Sequence, residues 1–371
     1  DVAHITKNVI GGIINRENAT PFLINGDFKI AQRATSVSGI NAAGLAVVDR
    51  WGYVIGDAGT WTAERANDGP ADNGFPQCFK WDVTTAKGTL GANTIMYIRQ
   101  ILEAQDVQLF NIAQSTARPF TVTFWVRSTK TGTYICMLNN FTANRHVSKA
   151  YTISSSNTWE KKTVSFPADT AGSIGNTEGP GISVNFWMTA GSTYSSGTLQ
   201  QTWGSAVAAN QAVGQVNAAD STSNFFSLAG VQLEVGEYDA ITTPPFQHES
   251  YGDSLLRCQR YFQNIEAARA NTSGFGHVES TTIVINLPLA LKPRILARYD
   301  GSGTFTKVGD IAVNAFPTGA DNITGISTWI VMGNMISVGM TSSGSMTSGS
   351  SEPVRFASAS PQTIFTLDTE L

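Results

Sequence analysis

Two short stretches, in which apolar residues alternate with polar residues or tryptophan, limit what this chain can fold into. Residues 120–127 read FTVTFWVR, and residues 182–188 read ISVNFWM. Because successive side chains of a β-strand point to opposite faces, each stretch has one apolar and one polar face. Further strand-like stretches occur at 78–83, 95–102 and 159–166, with turn-rich loops between strands. Many short strands without a helical period between them predict a β-sandwich, and their spacing suits a jelly roll.

The composition of the chain excludes several functional classes. Charged residues make up 14% of the sequence and the net charge is −4, whereas an ordinary globular protein has roughly 25% charged residues. This mild charge gives no long-range attraction to nucleic acid or to an anionic membrane, so we expect neither partner. The three cysteines are far apart, which predicts buried thiols rather than a disulfide framework and suits folding in a reducing cytoplasm.

One helix candidate interrupts the β pattern. Within residues 250–263, Leu255, Cys258 and Phe262 fall at positions i, i+3 and i+7 and form one apolar face. The stretch follows a strand-like segment at 231–235 and a short link that contains prolines, which is typical of a seam between domains.

We therefore divide the chain into four parts. They are an N-terminal attachment arm at 1–20, a jelly-roll domain at 21–248, a linking helix region at 249–273 and a second, smaller β-sandwich domain at 274–371. For the first part, a buried first strand is an equally good interpretation. The predicted fold class is all-β.

No enzyme motif occurs in the sequence with the context that its chemistry needs, and we predict that the chain has no catalytic function. The string Gly252-Asp253-Ser254-Leu255 matches the signature of a serine esterase family, but here it lies inside the helix pattern and not after an early strand. The one downstream histidine, His277, has no aspartate three residues before it. A capped helix start explains the string better. A glycosidase with paired carboxylates stays open, because its two acids can come from distant positions.

Aromatic residues among polar ones on a sheet are candidates for sugar binding. Trp125 and Trp187 lie opposite the apolar residues of their strands, beside Thr, Ser and Asn. Such a ring stacks on the apolar C–H face of a sugar, while amides and hydroxyls bind its hydroxyl groups. The alternative, which we favour on the sequence, is that these faces pack against another sheet, helix or subunit. The candidate carbohydrate-binding residues are Trp125, Trp187 and three aromatics expected in loops, namely Trp61, Tyr194 and Trp203.

Several short motifs resemble parts of bacteriophage tail-fibre and capsid-fibre proteins. The motifs are FLINGDF at 22–28, AQR at 31–33, DRW at 49–51, GVQLEVG at 230–236 followed by Pro245-Phe246, CQRY at 258–261 and LDTEL at 367–371. The Asn-Gly-Asp-Phe of the first motif is also similar to carbohydrate-binding modules of the family 4/9 type, which are jelly rolls.

This resemblance implies a function and a set of partners. It implies a receptor-binding tail fibre on the virion surface, made in the host cytoplasm, that contacts a host cell-surface glycan and joins other virion proteins through its N-terminal arm. A capsid or head fibre, or a decoration protein with a structural role, is the alternative, and a polysaccharide depolymerase is a third reading. Such fibres are usually homotrimers.

The resemblance also concerns the edge of the sandwich. It implies that the first and last strands lie side by side, with a structural calcium ion near them. Asp27 and Glu234 are the candidate ligands for that ion. No other cofactor is expected.

Overall fold

The computed structural model describes residue 18, residues 20–45 and 47–267, and then the strands of the C-terminal part and residue 370. The chain divides into two compact units, the first extending to Tyr251 and the second from Gly252 to Glu370. The predicted attachment arm at 1–20 lies almost entirely outside the described residues.

The first unit is built almost wholly from strands. Its strands are β1 Ser36–Ile40, β2 Gly44–Leu45, β3 Gly52–Gly56, β4 Thr60–Ala66, β5 Cys78–Thr85, β6 Ile95–Glu103, β7 Phe120–Ser128, β8 Gly132–Asn140, β9 Arg145–Ile153, β10 Glu160–Phe166, β11 Pro180–Ala190, β12 Gly204–Ser205 and β13 Phe225–Val235. Short helical segments lie between them, namely the α-helix α1 Ser192–Ser195 and the 3₁₀ helices Ala71–Asn73, Ala104–Phe110 and Ala208–Asn210.

These strands form a sandwich of two antiparallel sheets. The six-stranded sheet has the order β1-β4-β5-β13-β7-β10, and the seven-stranded sheet has the order β12-β9-β8-β11-β6-β3-β2. The chain passes repeatedly from one sheet to the other between consecutive strands, as it does in a jelly roll. The predicted jelly-roll sandwich is therefore confirmed.

Alternation along the strands explains where the core lies. The apolar faces of β7 and β11 point inward, and Phe124 and Phe186 meet there with ring centroids 4.8 Å apart. The core also contains the fully buried rings of Trp51, Phe79 and Trp81. Burial of each large apolar side chain contributes about 1.5–3 kcal/mol, so this inner layer supplies most of the stabilisation of the unit.

Strand β13 contains an irregularity that shapes the outer face of its sheet. Ala229 pairs with Trp125 of β7, and Gln232 pairs with Thr123, so β13 has one extra residue over this span. Gly230 has a left-handed backbone conformation with φ of 54°. Residues other than glycine rarely adopt this conformation. The result is a β-bulge, which turns the strand locally and redirects its side chains.

The opening motif lies against this bulge. The amide of Val231 donates a hydrogen bond of 2.8 Å to the carbonyl of Gly26. The first and last segments of the sandwich are therefore in contact, as the resemblance implies. However, the segment 22–28 consists of bends and turns and is not a strand.

The second unit begins with one α-helix. Helix α2 spans Tyr251–Gln259 and is shorter than the predicted 250–263, because Phe262 already belongs to the next strand. Ser254 of the esterase-like string lies within this helix and is 1% exposed. Among the described residues, no helix is both long and apolar enough to cross a membrane.

The strands after this helix form two sheets. They are β14 Phe262–Ala267, β15 Thr272–Glu279, β16 Thr282–Pro288, β17 Thr304–Lys307, β18 Ile311–Ala315, β19 Gly319–Met332, β20 Met335–Ser342, β21 Ser351–Phe356 and β22 Gln362–Asp368. Strands β14, β22 and β17 form a three-stranded sheet, and the other six form a closed barrel. The β content agrees with the prediction, but the six strands close on themselves instead of forming two facing sheets. Closure gives every strand two paired neighbours, which leaves no exposed sheet edge.

Candidate functional site

An open cleft lies on the outer face of the six-stranded sheet, and we call it the Trp125 cleft. Its volume is about 290 Å³, close to the lower end of the range of about 300–1,000 Å³ for small-molecule sites. The space suits a sugar ring rather than a single ion. Its lining consists of Asn73, Phe75, Thr123, Trp125, Lys161, Gly230, Gln232, Pro245, Phe246 and His248.

Two buried polar side chains lie at the base of the Trp125 cleft. Thr123 and Gln232 face each other across β7 and β13 and are 2% and 7% exposed. Thr123 Oγ1 and Gln232 Oε1 have no hydrogen-bond partner among the described residues. The side-chain nitrogen of Gln232 donates to the carbonyl of Pro244 at 2.8 Å, which fixes the direction of its amide group. Since a buried polar atom without a partner costs about 1–3 kcal/mol, a hydrogen-bond donor that reached either atom would stabilise the fold.

Three aromatic rings form one wall of the Trp125 cleft. Phe75 and Phe246 meet edge to face with centroids 4.9 Å apart, and His248 stacks on Phe75 at 5.3 Å. The ring of Phe75 lies directly over Gly230, where an added Cβ would come within 2.5 Å of Phe75 Cζ. The glycine of the β-bulge therefore makes room for this wall.

The remaining sides of the cleft carry Trp125 and one charged group. Trp125 is half-buried and belongs to a small apolar cluster on the outer face that also contains Phe75 and Ala229. Lys161 is exposed and pairs with Trp125 in the β10–β7 register. The lining thus combines a partly open indole ring, neutral hydrogen-bonding groups and a single ammonium group, and it contains no carboxylate.

Trp187 lies on the outer face of the opposite sheet, as its strand pattern predicts, but it is fully buried. The ring packs against Tyr97 at 4.9 Å and Tyr194 at 5.6 Å, and against Ala212. Tyr194 lies in helix α1 and not in a loop. Because the segment from α1 to Ala212 covers this face, Trp187 cannot contact a sugar. Tyr194 belongs to the covering segment, is half-buried and lies outside the Trp125 cleft.

Trp61 and Trp203 also have structural positions. Trp61 belongs to strand β4 rather than to a loop, is fully buried, and donates from Nε1 to the carbonyl of Ala58 at 2.8 Å. Burial excludes it from contact with a ligand. Trp203 is half-buried, packs against the core and donates from Nε1 to the carbonyl of Pro167 at 2.8 Å. Of the five predicted aromatics, Trp125 is the one that lines the cleft.

The two candidate calcium ligands do lie together. Asp27 and Glu234 line a small cavity whose volume of about 10 Å³ leaves room for about one water molecule. However, Lys29 forms an ion pair with Asp27 at 3.0 Å, and calcium needs 6–8 oxygen ligands. In the part of the chain that the structure describes, no group of three or more His, Cys, Asp or Glu could hold a metal ion. An ammonium beside one of two carboxylates does not fit a calcium site.

Most residues of the Trp125 cleft were missed in the sequence. Phe75, Phe246 and His248 come from irregular segments, and no periodicity indicates where such segments lie. One signal was available, since a glycine inside a strand pattern indicates a bulge or a close approach of other groups. Gly230 is such a glycine, and both effects occur there.

Comparisons with known proteins give weak structural similarities. No protein-family model matches the chain, and no curated protein matches it. The chain is similar to the enzymatically active domain of tailspike protein 4 of bacteriophage CBA120, with a TM-score of 0.28, 13% identity, and coverage of 58% of this chain and 21% of that one. It thus spans about a fifth of the tailspike chain.

Two carbohydrate-binding modules are similar to the same extent. TmCBM61, solved with β-1,4-galactotriose, has a TM-score of 0.28, 11% identity, and coverage of 58% of this chain and 99% of that one. The family 11 module of Clostridium thermocellum, solved with a mixed-linked tetrasaccharide, has a TM-score of 0.28, 11% identity, and coverage of 56% and 98%. At these scores the similarities identify neither a family nor a ligand for this chain.

Proposed function

We propose that this chain is a fibre protein of a bacteriophage virion whose first unit binds a host cell-surface glycan in the Trp125 cleft. One observation carries the proposal of glycan binding. A half-buried indole ring lies beside two buried polar atoms, Thr123 Oγ1 and Gln232 Oε1, that have no hydrogen-bond partner among the described residues. A sugar ring offers an apolar C–H face to the indole and hydroxyl groups to the two oxygens.

The fibre assignment rests on the sequence motifs, and their residues interact closely. Asn25 donates from Nδ2 to the carbonyls of Ile30 and Asp49, at 2.9 and 3.0 Å. Trp51 donates from Nε1 to the carbonyl of Asn25 at 3.1 Å. Residues from the NGDF and DRW motifs therefore form one buried hydrogen-bond network at the start of the sandwich. This supports a structural role for the two motifs.

We also propose that the chain has no catalytic activity. Hydrolysis of a glycosidic bond ordinarily uses two carboxyl groups on either side of it, and the lining of the Trp125 cleft contains none. Attachment to other virion proteins through the N-terminal arm and a homotrimeric assembly belong to the same proposal.

The binding proposal is tested on the full chain with a glycan array that includes host surface polysaccharides. We expect selective binding, and we expect Trp125→Ala to weaken it about tenfold or more because stacking on the ring is lost. Trp203→Phe is the matched control, since it alters an aromatic residue outside the cleft. Circular dichroism melting curves would show that both variants fold.

Two outcomes would contradict the proposal. An array without any bound glycan would favour the alternative of a structural capsid or decoration protein. Binding that survives Trp125→Ala unchanged would place the glycan elsewhere. Electron microscopy of the particle would locate the protein on the tail or the head.

A further inference from the structure

We infer that the Trp125 cleft selects sugars that carry a carboxylate, such as uronic acids, over neutral sugars of the same shape. This inference rests on the proposed glycan binding and adds the chemical class of the ligand. It starts from the charges in and around the cleft.

Lys161 is the one charged residue in the lining of the Trp125 cleft. Its ammonium group forms no ion pair with any described residue. By contrast, neighbouring cationic side chains on the same sheet do form ion pairs. Arg127 binds Asp68 and lies 4.9 Å from the ring of Trp159.

Other nearby charges are neutralised as well. Lys162, next to Lys161 on β10, binds Glu160 at 2.6 Å. In the small cavity beside the cleft, Lys29 binds Asp27 at 3.0 Å. The lining of the Trp125 cleft itself therefore offers a ligand one ammonium group and no carboxylate, although the whole chain has a net charge of −4.

The position of Lys161 relative to the other groups suggests which part of a sugar it would meet. Thr123 and Gln232 are buried at the base, whereas Lys161 is exposed at the rim. A sugar ring that stacks on Trp125 and directs hydroxyls to the base leaves its other substituents near the rim. A carboxylate there would form an ion pair with the ammonium, while a neutral hydroxymethyl group would form at most a hydrogen bond.

The expected preference is modest because the pair is exposed. Ion pairs at a protein surface are weak, which corresponds here to a preference of about fivefold or less. Such a pair is screened by salt, with a Debye length of about 10 Å at 0.1 M. The preference should therefore shrink as the salt concentration rises, while binding to neutral sugars should not change.

The test uses pairs of oligosaccharides that differ only in oxidation at C6. Galactose and galacturonate, glucose and glucuronate, and mannose and mannuronate tetramers are titrated calorimetrically into the full chain. We expect at least one pair in which the uronate binds about three- to fivefold more tightly. Lys161→Gln should remove this difference, and Lys161→Arg should keep it.

Lys80→Gln is the matched control, because Lys80 lies on the same sheet in strand β5 but not in the cleft lining. It should leave the preference for uronates unchanged. Equal binding of uronate and neutral sugars, with Trp125→Ala still weakening both, would overturn the inference and leave the proposed function intact. If the array shows a bound glycan but no uronate tetramer binds, the inference falls and the proposed function stands. If Trp125→Ala has no effect on binding, both fall.

Discussion

The two outer faces of the sandwich differ in a way that the strand patterns conceal. Both β7 and β11 carry a tryptophan on the polar face of an alternating strand. Trp125 is half-buried and lines an open cleft, whereas Trp187 is fully buried under a segment of the same chain. Alternation therefore determines which side of a sheet a residue faces. It does not determine what covers that side.

Residues outside the strands determine whether each face is covered or open. On the seven-stranded sheet, Tyr194 of α1 and Ala212 pack on Trp187, and their backbones are joined by a hydrogen bond of 2.8 Å. On the six-stranded sheet, Phe75 and Phe246 stand beside Trp125 without closing over it. The ring of Trp187 is covered by its own chain, and the ring of Trp125 stays partly open.

The largest expected effect is on stability, and it separates the two tryptophans directly. Trp187→Ala removes a fully buried ring and should lower the free energy of unfolding by about 3–5 kcal/mol. Trp125→Ala should lower it by about 1–2 kcal/mol, since its ring is only half-buried. Urea denaturation of the full chain followed by circular dichroism measures both. Equal losses would show that the two faces are equally covered.

An intermediate effect is expected at the β-bulge under the Trp125 cleft. Gly230→Ala should cost about 1–3 kcal/mol and displace Phe75, because the new Cβ would lie 2.5 Å from the ring and φ is 54°. Gly39→Ala is the control, since Gly39 has a φ of 76° but nothing within 4 Å of an added Cβ. Denaturation and glycan binding of both variants check this. If the control variant loses glycan affinity to the same extent, displacement of Phe75 is not the cause.

The smallest expected effect concerns pH and the covered face. Burial lowers the pKa of His146 below its ordinary 6.5, and a backbone contact with Asn210 offsets part of this. The folded chain thus binds fewer protons than the unfolded chain when the pH falls through about 6.5, so its stability falls there too. His146→Gln should reduce this pH dependence.

Amide hydrogen exchange at pH 7.5 and 5.5 locates this effect. The amide of Ser148 donates to the carbonyl of Gln200 at 2.7 Å, next to His146. We expect its protection to fall at the lower pH, after correction for intrinsic rates, while amides of β7 change less. A uniform loss over both sheets would exclude His146 as the cause.

Much of the fold could be predicted from the sequence because strand periodicity is a local property. The stretches at 120–127 and 182–188 form β7 and β11, and their apolar faces point inward as the pattern predicts. The helix was located but extended too far, because the apolar spacing of Phe262 fits a helix and a strand equally well. Barrel closure in the second unit depends on long-range pairing, which periodicity does not encode.

The candidate site could be predicted only in part. Trp125 was identified because its own strand determines its direction. The sequence predicts a loop at Trp61, which lies in β4, and it does not indicate which segment covers Trp187. Phe75, Phe246 and His248 reach the cleft through turns and irregular segments, whose paths depend on tertiary contacts. Asp27 and Glu234 were correctly placed near each other, but Lys29 occupies the position beside Asp27.

The wall of the Trp125 cleft joins segments that are far apart along the chain, and this has a consequence for the order of folding. Phe75 is made before most strands of the sandwich, whereas Phe246 and His248 emerge after its last strand. Contacts between such distant residues form late. The strands can therefore assemble before the wall of the Trp125 cleft exists, and the cleft is complete only after residue 248 has emerged.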